Sequence, residues 1–313
     1  MHLWQIRHFP NHPQTLLRLT FCAVASTLVA VSLFPKENYV AAQTSETTTE
    51  KKSTAQNASL ATEFLDKVRQ ELPNHQSIKA ELHQVVAMGD QQFKIAGMYQ
   101  SMGQKLRLEY SVVPDQGVQG KILEVCDGKD LWTQTELPDG KRVTHRNVQQ
   151  LLAAAAASDK RNLSAPAISV ELGLGGLTSL LASLERTMSF DAIKEEEIDG
   201  HRRTIIQGRW KKELAKRWPK DKDDLYPPFV PDLVRLYVNS TTMFPEKLLY
   251  LKKQPQKKSY QSMLSLEFRN VEFDQPVEDN TFVFEIPTGI IPEEVTKQFL
   301  DRLTTDPANP GTK

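Results

Sequence analysis

The period of the apolar positions changes along the chain, and each change marks an element. Between Ala61 and Leu72, Phe64, Leu65, Val68 and Leu72 share one stripe, with Glu63, Asp66, Lys67, Arg69 and Gln70 elsewhere. This spacing predicts a short amphipathic helix that Pro73-Asn74 stops. From Ser77 to Met88 the period falls to 2: Ile78, Ala80, Leu82 and Val86 alternate with Lys79, Glu81 and His83. A Gly89-Asp90 turn leads into Gln92–Gln100, where Phe93, Ile95 and Tyr99 share a face. Lys105 to Tyr110 alternates without exception, which is the pattern of a strand wet on one side and buried on the other, with Leu106, Leu108 and Tyr110 inward. Val118–Cys126 ends at Asp127-Gly128 and Leu131–Leu137 at Pro138-Asp139-Gly140, turns whose glycines take positive φ at little steric cost.

The pattern then turns helical over Val148–Ser158, whose alanines give a thin apolar face suited to a lid, and over Leu177–Met188. Strands return at His201–Gly208, Leu233–Val238, Lys247–Lys252 and Ser262–Asn270, the last with Leu264, Leu266 and Phe268 in phase, and Phe282-Val283-Phe284 closes the series. A large antiparallel sheet with so few helices must curl to hide its apolar face. The expected fold is therefore α+β: a single curved antiparallel sheet, an incomplete β-barrel of about 11 strands, with helices covering the open concave side.

Composition narrows the function. The chain has 313 residues, and 39 Lys and Arg balance 39 Asp and Glu, so it lacks the basic excess of a nucleic-acid-binding surface. Residues 1–42 read as a signal peptide: Arg7 and Arg18 precede an apolar run of 14 residues from Phe21 to Phe34, too short to span a bilayer, and cleavage is expected after Ala42. A retained anchor is the alternative. Residues 43–59, nearly free of apolar side chains, read as a flexible linker, residues 60–303 as the folded domain, and residues 304–313 as a disordered tail. Cleavage leaves Cys126 as the single thiol, best read as a small buried residue. The expected location is periplasmic or otherwise exported.

Asp127-Gly128-Lys129-Asp130-Leu131-Trp132, Leu266 to Val271, and Phe282 to Gly289 occur in that order after a long meander. Together they resemble the LolA family of periplasmic outer-membrane lipoprotein carriers and lipoprotein-sorting proteins, over Ala61 to Gly289. The resemblance implies a half-barrel closed by helices, with an apolar cavity for the acyl chains of lipids or lipoproteins, and no cofactor. The chain departs from those carriers in length and in residues 159–218, which look like an insertion. The carriers' lid-latching arginine has no unambiguous match among Lys105, Arg107 and Arg202, and none is carried over.

The candidate lining is the in-phase set Leu82, Val86, Phe93, Ile95, Tyr99, Leu106, Leu108, Tyr110, Leu264, Leu266 and Phe268. Each of these could instead fill a solid core. Catalysis has little support: His75, His83, His145 and His201 form no His-x-His or His-Glu-x-x-His metal pair, and no Gly-x-Ser-x-Gly turn occurs. Glu195-Glu196-Glu197 reads as a solvated turn, and Gly173-Leu174-Gly175-Gly176 as a hinge rather than a phosphate loop. Trp210, Leu214 and Trp218 recur every fourth residue, flanked by Lys211, Lys212, Lys216 and Arg217; on a helix they would form an apolar stripe bordered by charge, suited to peripheral membrane contact. The alternative is that both indoles pack on the sheet. The leading expectation is a non-enzymatic exported carrier or chaperone of acyl chains. The alternative is a cell-envelope sensing or scaffold module of the same fold, with an envelope membrane protein as its partner.

Overall fold

The computed structural model describes residues 50–88, 91–114, 119–158, 176–216, 218–221, 224–254, 259–278 and 280–304. The signal-peptide, tail and Gly173–Gly175 expectations lie outside them. Among the described residues twelve strands form one sheet: β1 (Ile78–Met88), β2 (Gln91–Met102), β3 (Lys105–Pro114), β4 (Gly120–Cys126), β5 (Asp130–Leu137), β6 (Gly140–Asn147), β7 (Met188–Ile198), β8 (His201–Trp210), β9 (Leu233–Asn239), β10 (Pro245–Gln254), β11 (Ser259–Phe273) and β12 (Glu293–Glu294). Their order is β12-β6-β5-β4-β3-β2-β1-β11-β10-β9-β8-β7. Every neighbouring pair is antiparallel except β12, which runs parallel to β6. Among the described residues the helices are α1 (Glu50–Glu71), continued by a 3-10 turn at Leu72–Asn74, α2 (Val148–Ser158), α3 (Gly176–Thr187), the single turn α4 (Lys212–Ala215) and α5 (Thr296–Thr304).

Laid flat at about 4.8 Å per strand, such a sheet would be roughly 50 Å wide. One apolar cluster nevertheless joins Ile122 and Leu131 of β4 and β5 to Phe190 and Ile206 of β7 and β8. The sheet must therefore curl. Gly97 permits one tight approach in that curl: a Cβ there would lie 2.1 Å from the Glu109 carbonyl oxygen and 2.5 Å from the Tyr110 Cβ.

Several expectations need correction. The first helix begins at Glu50, so residues 50–59 are helical rather than linker. Propagating an existing helix through Glu, Lys, Ala and Gln requires little even without a buried face, and Ser59 Oγ donates to Glu63 at 2.9 Å. Strand β6 was missed because its sequence, GKRVTHRN, holds one aliphatic residue. The Glu195–Glu197 run is exposed, but it lies on β7, a strand at the end of the sheet, where charge discourages pairing with another chain. Residues 282–284 form turn and irregular backbone instead of a strand.

That last segment acts as a strap on the outer face. Phe282 is buried, Arg107 donates to the Thr281 carbonyl at 3.4 Å, and Phe284 stacks on Trp132 at 5.4 Å. Trp132 also contacts the His145 ring at 4.2 Å, and His145 is held by Asp130 (3.0 Å) and by Glu294. The Asp127-to-Trp132 motif and the terminal Phe-rich motif thus meet each other, outside the concavity. Asp127 Oδ1 accepts the Lys129 and Asp130 amides, each at 2.8 Å, which fixes the turn that presents Trp132.

Candidate functional site

Strand register settles which side chains share the concave face. Leu82 pairs with Phe268, and Val86 with both Leu264 and Phe93. Tyr99 pairs with Leu108, and Gly97 with Tyr110. Since alternate residues share a face, all eleven candidate lining residues point the same way. All eleven belong to one apolar cluster: eight are buried, while Val86, Leu108 and Leu264 are half-buried at its margin. Tyr99 and Phe244 each meet Phe268 edge to face, at 5.5 and 5.7 Å.

Helices occupy most of the concavity. Ala61, Leu65 and Val68 of α1, Leu151 of α2, and Leu177, Leu181 and Leu184 of α3 are buried in the same cluster. Arg69 of α1 forms an ion pair with Glu185 of α3. A cavity of about 420 Å³ persists where α3 begins, lined by Leu72, Ile78, Tyr99, Leu106, Cys126 and Leu177 among others. Here α3 sits directly on the sheet: a Cβ on Gly176, whose φ is +55°, would lie 3.1 Å from Tyr99 Oη and 3.3 Å from Leu106 Cδ1. The Leu177 amide bonds the Tyr99 hydroxyl, whose ionisation is pushed up by burial. Burial likewise pushes the Cys126 thiol up, so it stays a thiol and serves as apolar wall.

The concave face also carries polar groups that the alternation did not reveal. Leu108 pairs with Glu124, Glu124 with Thr133, and Leu131 with Arg146, which puts Glu124, Thr133 and Arg146 inside. All three are buried, as is Gln84. The Glu124 carboxyl is pushed up to about 7 by burial, against the attraction of Arg146 and a hydrogen bond from Thr133. Its Oε1 has no hydrogen-bond partner among the described residues. The Arg146 guanidinium lies 4.7 Å from the Phe299 ring centroid of α5. One sequence signal could have found Glu124: it stands on the apolar phase between Ile122 and Cys126.

The basic tryptophan segment is not the helix expected. Trp210 closes β8, α4 covers Lys212–Ala215 alone, and the chain turns so that Trp210 and Trp218 meet at 4.5 Å. Trp210 donates its indole N–H to the Pro231 carbonyl at 2.7 Å and packs on the core. Lys212 and Lys216 are exposed, Lys211 and Leu214 half-buried, and the Arg217 position lies outside the described residues. A larger hollow of about 610 Å³ lies elsewhere, among Arg203, Glu246, Lys247, Glu267 and Arg269. Its charges pair with one another (Arg203 with Glu246 at 2.7 Å, Arg269 with Glu267 at 3.0 Å), which suits an acyl chain poorly.

No family model matches the chain, and no curated protein matches it. Among solved structures it is similar to the lipoprotein LppX of Mycobacterium tuberculosis, at 11% identity and a TM-score of 0.36 over 70% of this chain and 98% of that one. LprF of Mycobacterium bovis gives 11% identity and a TM-score of 0.35, over 70% and 95%. MucB in complex with MucA(peri) gives 12% and 0.28, over 72% of this chain and 62% of that one.

Proposed function

We propose that this chain is an exported, non-enzymatic carrier that holds the acyl chains of lipids or lipoproteins between the curled sheet and its covering helices. The observation that supports the reading is the concave apolar face, lined in register by four adjacent strands and left with a 420 Å³ cavity where α3 meets Tyr99 and Leu106. That volume falls within the range of small-molecule sites, about 300–1,000 Å³.

Magnitudes constrain how such a carrier would load. An acyl chain gains roughly 0.8 kcal/mol per methylene, or about 11 kcal/mol for ~14 carbons. The large side chains that α1, the turn after it and α3 bury, Leu65, Val68, Leu72, Leu177, Leu181 and Leu184, are together worth on the order of 12 kcal/mol at about 2 each. Displacing both helices would cancel the gain. Entry is therefore expected at the existing cavity, with α3 shifting only as the chain advances.

Neighbouring residues on β3 test the reading. Leu108→Glu puts a second carboxylate directly opposite Glu124 on the concave face, whereas Arg107 lies on the outer face beside Glu109 and Thr281. Capture of a fluorescent fatty acid should be lost in Leu108→Glu and kept in Arg107→Glu. Equal effects of the two changes in folded protein would refute the assignment of the site to this face.

A further inference from the structure

Three features lie outside the apolar lining: the paired charges around the 610 Å³ hollow, the tilted tryptophan pair, and the buried group Glu124, Thr133 and Arg146. The charges of the first pair with one another, and Trp210 donates to Pro231 in the second. In the third, Glu124 Oε1 has no partner among the described residues.

Glu124 and Cys126 are alternate residues of β4, so they share the concave face, roughly 7 Å apart. Cys126 lines the 420 Å³ cavity. Glu124, Thr133 and Arg146 do not line that cavity themselves; Glu124 lies on the same wall, one inward-facing position further along β4. Glu124 is 3% exposed, yet its Oε1 accepts no hydrogen bond among the described residues. An orphaned buried acceptor is costly and rare. Arg146 attracts the carboxylate without forming an ion pair with it, so its charge is only partly offset against burial and its hydrogen-bonding capacity is not met. A ligand anion or cation brought here would upset that balance. A neutral donor would complete it.

We propose that Glu124, Thr133 and Arg146 form a head-group subsite that takes a neutral hydrogen-bond donor carried beside an acyl carbonyl, either a hydroxyl or an amide N–H. Glu124 Oε1 accepts from the donor, Thr133 holds the other side of the carboxyl, and Arg146 keeps the pair neutral overall. This inference rests on the acyl-carrier reading and deepens it.

The test is competition against a bound fluorescent fatty acid, using the full chain and three competitors of equal chain length. A fatty-acid methyl ester offers acceptors only, a primary fatty amide offers N–H, and a monoacylglycerol offers hydroxyls. At least one donor-bearing competitor should displace the probe at a concentration about tenfold lower than the ester does, as one hydrogen bond to a charged acceptor gives. Which of the two does so identifies the source of the donor. Glu124→Leu should abolish the preference, so that the three competitors displace the probe at equal concentrations. Glu124→Gln keeps an acceptor without its charge and should reduce the preference to about threefold, so the test survives if the Leu variant does not fold. Equal displacement by all three competitors, or a preference that persists in both variants, overturns the subsite while leaving the carrier reading intact. Failure of the wild type to bind the probe at all overturns both.

Discussion

Glu124→Gln isolates the free energy of one buried carboxyl. In the folded chain that group titrates at about 7 instead of its ordinary 4.5, with burial as the largest cause. The difference is about two and a half pH units, and at 1.36 kcal/mol per unit it amounts to about 3 kcal/mol. The sign follows from proton counting. Between pH 4.5 and 7 the unfolded chain has released this proton while the folded chain still holds it, so stability falls as pH rises through that window and levels off above it. Below pH 4.5 both states are protonated and the penalty is absent. Glutamine, nearly the same in shape and unable to ionise, carries no such dependence. Relative to wild type, Glu124→Gln should therefore gain about 3 kcal/mol in going from pH 4 to pH 8. For a domain of this size that corresponds to roughly 6–12 °C in Tm. Urea unfolding at several pH values, followed by tryptophan fluorescence, reads the difference directly, and other titrating groups cancel in the comparison. A stability difference that stays flat from pH 4 to pH 8, or that shrinks as pH rises, would refute the placement of an uncompensated carboxyl on the concave wall.

Trp132→Ala should reduce stability by about 2 kcal/mol through loss of its contacts with Phe284 and His145, while fatty-acid capture stays within twofold of wild type, because this tryptophan lies on the outer face. Loss of capture in stably folded Trp132→Ala would place the motif at the site instead. We also propose that the basic segment at Lys211, Lys212 and Lys216 makes peripheral contact with membranes. Binding to anionic vesicles should fall with added salt, which screens surface charge over about 10 Å at 0.1 M, and on changing all three lysines to Ala; vesicle binding indifferent to the triple change would remove that role.

The sheet was legible where one face is wet and the other buried. Lys105 to Tyr110 alternates perfectly and is β3; Val148–Ser158 is α2 to the residue. Legibility failed where the environment is not two-sided. Strand β6 has little apolar content because α5 and β12, both distant in sequence, supply its neighbours. Helix α1 extends past its apolar stripe because exposed turns can ride on a nucleated helix. The tryptophan spacing suggested a helix, but strand β8 runs through Trp210 and a hydrogen bond to Pro231 fixes the indole, a contact the local period does not encode.

The same distinction holds for the site. That the eleven apolar candidates share one face was recoverable from period 2 alone, since each faces the concavity by register. Glu124, Thr133 and Arg146 were not, because inward polar residues break the alternation and read as noise until their cross-strand partners are known. The resemblance motifs were visible for another reason: they form a structural joint, with Trp132 against Phe284, rather than the cavity wall.

The central claim, that the concave face holds acyl chains, is tested most directly by extracting the purified native protein with organic solvent and analysing the extract by mass spectrometry, alongside the Leu108→Glu variant prepared identically. The account predicts acyl lipid in near-stoichiometric amount from wild type and little from Leu108→Glu. Wild-type protein that yields no acyl lipid, and takes up none when mixed with it, would contradict the carrier and favour a module that uses the same face to hold a segment of another protein.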